Sequence, residues 1–133
     1  MKNFLKALTL LLLTLISTSG FSQDNVTDTK ESQSNFIHMV FFWLKDTSDK
    51  ETSAFKNRTI AFLDQVNSID SYHVGIPAAT DGAIIERSYT VALVVTFEDK
   101  KAYDIYQEHE AHKSFIDDCN HLWDSVKVFD TYK

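Results

Sequence analysis

The hydrophobic pattern changes character three times along the chain. Behind Lys2 and Lys6 an almost unbroken apolar run extends from Ala7 to Ile16; from Gln23 to Asn35 only Val26 is large and apolar; from Phe36 onward short periodic stretches alternate with polar breaks. The first region has the charged start, the short apolar run and the small residues (Gly20-Phe21-Ser22) of an export signal, and is too short to span a bilayer comfortably. Residues 1–22 are therefore expected to be a cleaved signal peptide, 23–35 a polar spacer and 36–133 the folded domain. The mature protein is expected in the periplasm or outside the cell, with no membrane attachment.

Within the folded part, "FIHMVFFWLK" (36–45) is apolar on both alternating faces, which predicts a strand covered on both sides. Ser48 with Glu51 has the spacing of a capping box, and Phe55, Thr59, Phe62, Leu63 and Val66 mark one stripe of a helix ending near Asn67. "SYHVGIPA" (71–78) reads as a short strand closed by Pro77, and "SYTVALVVTFE" (88–98) as a second β-prone run. "DKKAYDIYQEH" and "EAHKSFIDDCNHLW" are helical in two pieces, and "VKVFDTY" (126–132) is a final strand. The order β-α-β-β-α-β predicts an α+β, ferredoxin-like protomer with one sheet and helices on one face. The other face is left bare, and its simplest cover is a second copy of the chain, giving a homodimer.

Charge narrows the partners. The chain carries a formal −6, and loss of Lys2 and Lys6 with the leader takes it to −8. Such a domain repels polyanions, so nucleic acid and anionic membrane surfaces are not expected partners. An RNA-binding sheet is further disfavoured because the third strand lacks a Gly-aromatic motif. The single cysteine, Cys119, offers no internal disulfide, so the core must hold the domain unaided; it reads as a small buried hydrophobe.

The segment richest in chemistry is "YQEHEAHKSF" (106–115). With about 100° per helical residue, Phe115, Ile116, Cys119 and Trp123 fall within about 60° of His112, which places that imidazole in the apolar stripe. His109 falls on the edge of the stripe and is a candidate substrate contact, while Glu110, Asp117 and His121 point away. No metal is expected, because "HEAH" has neither the spacing of a zinc protease helix nor further ligands on the same face, and no cofactor is implied. A buried imidazole still needs partners for two ring nitrogens, and a carboxylate on one would make the other a competent base. Asp130 is in phase with Val126 and Val128 on the last strand, His38 is in phase with Val40, Phe42 and Leu44 on the first, and Tyr106 precedes His112 on the helix. Each alone reads as a satisfied core residue; four in one small domain point toward a site.

"IHMVFFWLKD", "SYTVALVVTFEDKKAYDIYQEHEAHKSFI" and "LWDSVKVFDTY" together resemble the stress-responsive A/B barrel (Dabb) family, over essentially all of residues 36–132. The resemblance implies a ferredoxin-like protomer that pairs its sheet with a second one to make a dimeric α+β barrel. Family members include plant stress-induced proteins and a plant polyketide cyclase that forms olivetolic acid. Carried onto this chain, the resemblance implies His112 as catalytic base, Asp130 as its orienting carboxylate, Tyr106 as substrate-binding phenol and His38 as the histidine of the first strand. Two positions depart from the family pattern: Glu110 stands for the proline of His-Pro-x-His, and Thr90 for the aspartate after the tyrosine of the third strand. Glutamate suits a helix N-terminus, so the first change is expected to be mild.

The expected function follows from these residues. A small apolar cavity holds a carbonyl-containing ligand, His112 removes a proton beside the carbonyl, and Tyr106 hydrogen-bonds its oxygen, as in a cyclase or a lyase. The alternative is a non-catalytic stress-responsive or small-ligand-binding protein in which the same polar residues form a structural network.

Overall fold

The structure, a computed structural model, describes residues 34–133. The expected signal peptide and nearly all of the expected spacer lie outside the described residues. The elements are β1 (Phe36–Leu44), α1 (Asp49–Leu63), β2 (Ser71–Gly75), β3 (Val91–Phe97), α2 (Lys100–Glu108), α3 (Glu110–Cys119) and β4 (Trp123–Tyr132), with a short 3-10 turn over Asn120–Leu122. The sheet order is β2-β3-β1-β4 with every pairing antiparallel, the ferredoxin-like arrangement expected from the element order.

Alternation decides which side of β1 meets the helices. Phe36, His38, Val40, Phe42 and Leu44 are buried, while Ile37, Met39, Phe41 and Trp43 are half-buried on the opposite face. The buried row joins Phe55, Phe62 and Leu63 of α1, Tyr106 of α2 and Phe115 and Cys119 of α3 in one core. Cys119 is free and buried there, as a small hydrophobe. The stripe foreseen on α1 is buried in full, Val66 included, although the α-helix ends at Leu63. Gln65 and Val66 continue in a tighter turn, their N–H groups donating to Phe62 and Leu63 carbonyls at 3.1 and 3.0 Å.

Local expectations are corrected at the cap of α1 and in the strand bounds. Ser48 caps α1 by accepting from the Glu51 N–H, but the reciprocal half of the capping box comes from Asp46, which accepts the Ser48 N–H at 2.9 Å. The two middle strands are shorter than expected, Ser71–Gly75 and Val91–Phe97, and β4 starts earlier, at Trp123. Thr90, the departure in the third strand, has a structural role: its Oγ1 accepts the Leu44 N–H at 3.1 Å beside the register shift at Trp43/Leu44, where β1 leaves regular pairing with β4.

Candidate functional site

Two strands place the first pair of polar residues. The antiparallel register sets His38 of β1 directly opposite Asp130 of β4. Their side chains meet with Nδ1 and Oδ1 2.6 Å apart, so the ring donates its Nδ1–H to the carboxylate. His38 is buried, whereas the Asp130 side chain is 38% exposed, so the pair runs from the protein interior to solvent. The second carboxylate oxygen has the Tyr103 hydroxyl at 3.5 Å, the long limit of a hydrogen bond, and the Tyr103 ring stacks on Phe36 with centroids 4.4 Å apart.

The break between α2 and α3 places the second pair. His109 has extended backbone (φ −67°, ψ 136°), ends α2 and caps α3, its Nδ1 accepting the Ala111 N–H at 3.1 Å. A continued helix would have sent that N–H to the Gln107 carbonyl. The freed carbonyl instead accepts from Nδ1 of His112 at 3.2 Å, which fixes the hydrogen of His112 on Nδ1 and leaves Nε2 as an acceptor. Burial holds the His112 pKa below the ordinary histidine value; the Gln107 carbonyl works the other way, and the neighbouring His38 and His109 rings add to the lowering.

Tyr106 of α2 lies between the two imidazoles, its ring centroid 4.5 Å from His112 and 5.7 Å from His38. It is almost wholly buried, and burial pushes its phenol well above the ordinary tyrosine range. The group therefore remains a neutral hydrogen-bond donor.

His38, Tyr106, Gln107 and His112 all line one cavity of 210 Å³, whose other walls are apolar and include Val40, Phe42, Phe62 and Phe115. Ile116, Val126 and Val128 also line it and are 37%, 41% and 49% exposed, so they rim its opening between α3 and β4. A larger groove of 460 Å³ runs between α1 and α3 past Arg58, Gln65 and Ser114, but neither imidazole nor Tyr106 borders it. Among the described residues, no three His, Cys, Asp or Glu side chains converge as a metal site.

The structure thus brings together three of the residues expected at the site, His38, Tyr106 and His112, with Asp130 behind them. The pairing differs from the expected one: Asp130 orients His38, and the backbone of Gln107 orients His112. The register of β1 and β4 is the physical reason, because it sets Asp130 across from residue 38. His109 is occupied as a helix cap and is not among the lining residues, since the helix on which it was placed breaks at that residue. Sequence reasoning missed Gln107 and Tyr103. Tyr103 lies one turn before Tyr106, a spacing that was available to be read; the role of Gln107 belongs to its backbone and leaves no trace in side-chain patterns.

Comparison with known proteins agrees with the fold. The model of the Stress responsive A/B Barrel Domain family matches residues 36–133. No curated protein matches the sequence. Among solved structures, a Dabb family protein with a ferredoxin-like fold from Mesorhizobium loti is similar with a TM-score of 0.64 at 20% identity, over 75% of this chain and 97% of that one. A dimeric ferredoxin-like protein of unknown function from Thermobifida fusca gives 0.62 at 13% identity, over 75% and 92%. A hydroxynitrile lyase from Passiflora edulis gives 0.62 at 14% identity, over 76% and 94%. At these identities the likeness concerns the fold alone.

Proposed function

The chain belongs to the stress-responsive A/B barrel (Dabb) domain family, and on that premise we propose that it is an exported homodimer, each protomer holding a small apolar carbonyl compound and acting on it by acid–base chemistry. The observation that carries the chemistry is the meeting of two imidazoles and a buried phenol in one apolar cavity. Each imidazole has its Nδ1 engaged, by Asp130 or by the Gln107 carbonyl, which leaves Nε2 to act as a base. Tyr106 is the donor for a carbonyl oxygen that gains negative charge as the proton leaves. The apolar walls lower the local dielectric, which strengthens both interactions.

Cavity size limits the ligand. A cavity of about 150 Å³ accommodates benzene, so 210 Å³ suits one ring with a short carbonyl-bearing chain. The homodimer is supported by the half-buried apolar row Ile37, Met39, Phe41 and Trp43 and by Phe129, which is 52% exposed on the same sheet face. The dimeric protein from Thermobifida fusca shares the fold. Export rests on the leader-like pattern of residues 1–22, including Lys2, Lys6 and the Ala7–Ile16 run.

The test uses phenylacetone in deuterated buffer, followed by NMR for deuterium uptake beside the carbonyl. The protein is expected to speed the exchange, and Tyr106→Phe to slow it by about a hundredfold. Binding of phenylacetone with exchange no faster than in buffer alone would identify a ligand-binding protein and overturn the catalytic reading.

A further inference from the structure

Two imidazoles face one small cavity, yet they are anchored differently. We infer that they divide the work: His38, paired with Asp130, takes the proton from the ligand and carries the resulting charge, while His112 stays neutral and positions the ligand by packing its ring against it. This assignment rests on the acid–base reading above and goes beyond it by naming the base. It also reverses the role that the family resemblance implies for His112.

Different groups lie behind the two rings. When Nε2 of His38 accepts a proton, the imidazolium faces a carboxylate oxygen 2.6 Å from its Nδ1, a charge-assisted hydrogen bond. When Nε2 of His112 accepts one, its Nδ1 faces a backbone carbonyl 3.2 Å away, a dipole without charge. Burial and the nearby His38 both disfavour the cationic form of His112, and two cations in one apolar cavity repel each other. The groups facing His38 from the elements around it are Asp130 of β4, Tyr103 and Tyr106 of α2 and His112 of α3. Both phenols have raised pKa values and stay neutral, so Asp130 is the anion in that set.

Exposure suits the same assignment. Asp130 is 38% exposed, so a carboxylate there escapes the full cost of burying a charge. The step balances: the proton moves from the carbon beside the carbonyl to Nε2 of His38, the electron pair of the C–H bond enters the enolate, and the Tyr106 hydroxyl hydrogen-bonds the enolate oxygen. The Nδ1 proton remains between the ring and Asp130, and return of a solvent-derived deuteron from Nε2 to carbon completes the exchange.

Two measurements test the division. In the phenylacetone exchange assay, His38→Gln is expected to lower kcat by about a hundredfold or more with little change in KM. His112→Gln is expected to raise KM and to cost kcat far less. A large kcat loss in His112→Gln, with His38→Gln near wild type, overturns the division while leaving the acid–base reading intact. No exchange by the wild-type protein overturns the acid–base reading itself. The second measurement needs no activity and survives poor folding of the His38 variant. In nitrogen NMR spectra of the ligand-free protein, Asp130→Asn is expected to shift the ring-nitrogen signals of His38, which lose their carboxylate partner, and to leave those of His112 in place; movement of His112 with His38 unchanged overturns the proposal.

Discussion

The two faces of β1 are built from one short stretch of sequence and meet different surroundings. On the helix side, Phe36, Val40, Phe42 and Leu44 are buried against α1, α2 and α3, and the one polar residue in the row, His38, has a carboxylate partner. On the other side, Ile37, Met39, Phe41 and Trp43 keep part of their surface exposed, and Phe129 of β4, opposite Met39, is half exposed. The first face is completed by its own chain. The second is apolar enough to want a cover that the described residues do not provide. The proposed chemistry sits on the first face and the proposed assembly on the second, so substitutions on the two faces should fail in different ways.

The largest effect is expected on the helix side. Phe55 packs against Phe42, Phe115 and Trp123 with ring centroids 5.0, 5.8 and 6.0 Å away. Phe55→Ala removes that ring from the centre of the core and should cost about 3–5 kcal/mol in urea unfolding. The loss should be the same at every protein concentration, because the contacts lie within one protomer.

On the outer face the expected signature is concentration. If two sheets cover each other, unfolding of the wild-type protein is linked to dissociation, and its apparent stability should fall by about 1.4 kcal/mol for each tenfold dilution. Phe129→Asp puts a charge into the apolar face and should give a folded monomer in sedimentation, with stability independent of dilution. A dimer that persists in this variant would place the interface elsewhere.

The same contrast shows how much was legible in the sequence. Alternation in "FIHMVFFWL" was enough to assign both faces of β1, and the α1 stripe from Phe55 to Val66 was buried as read, because burial follows the period of each element. Residues were therefore placed on the correct faces: His38, Tyr106 and His112 do meet in one cavity. Their pairing was not legible. Which imidazole Asp130 touches depends on the register between β1 and β4, set by the whole sheet and not by any local pattern. The partner of His112 depends on a helix break that turns His109 into a cap and frees a backbone carbonyl. The departure at Thr90 became intelligible only once the irregular end of β1 showed which N–H needed an acceptor.

The smallest expected effect separates the faces by pH. In the folded protein the His112 pKa lies below its ordinary value near 6.5, chiefly through burial. As the pH falls below that ordinary value, the unfolded chain binds a proton that the native ring refuses, so the unfolded state is favoured. The stability that a neutral, half-buried His112 contributes is thus fully present above about pH 6.5 and is lost as the pH falls toward the lowered folded value. His112→Gln should flatten this part of the stability curve, measured as urea midpoints between pH 7.5 and 5.5, relative to wild type. Phe129→Asp should change the overall level but keep the slope, since it leaves the surroundings of His112 intact. Carboxylates elsewhere titrate in both proteins, so the difference between wild type and His112→Gln isolates the ring. An identical slope in the two would mean that His112 is no harder to protonate in the folded protein than in the unfolded chain, and its assignment as the neutral imidazole of the cavity would lose its support.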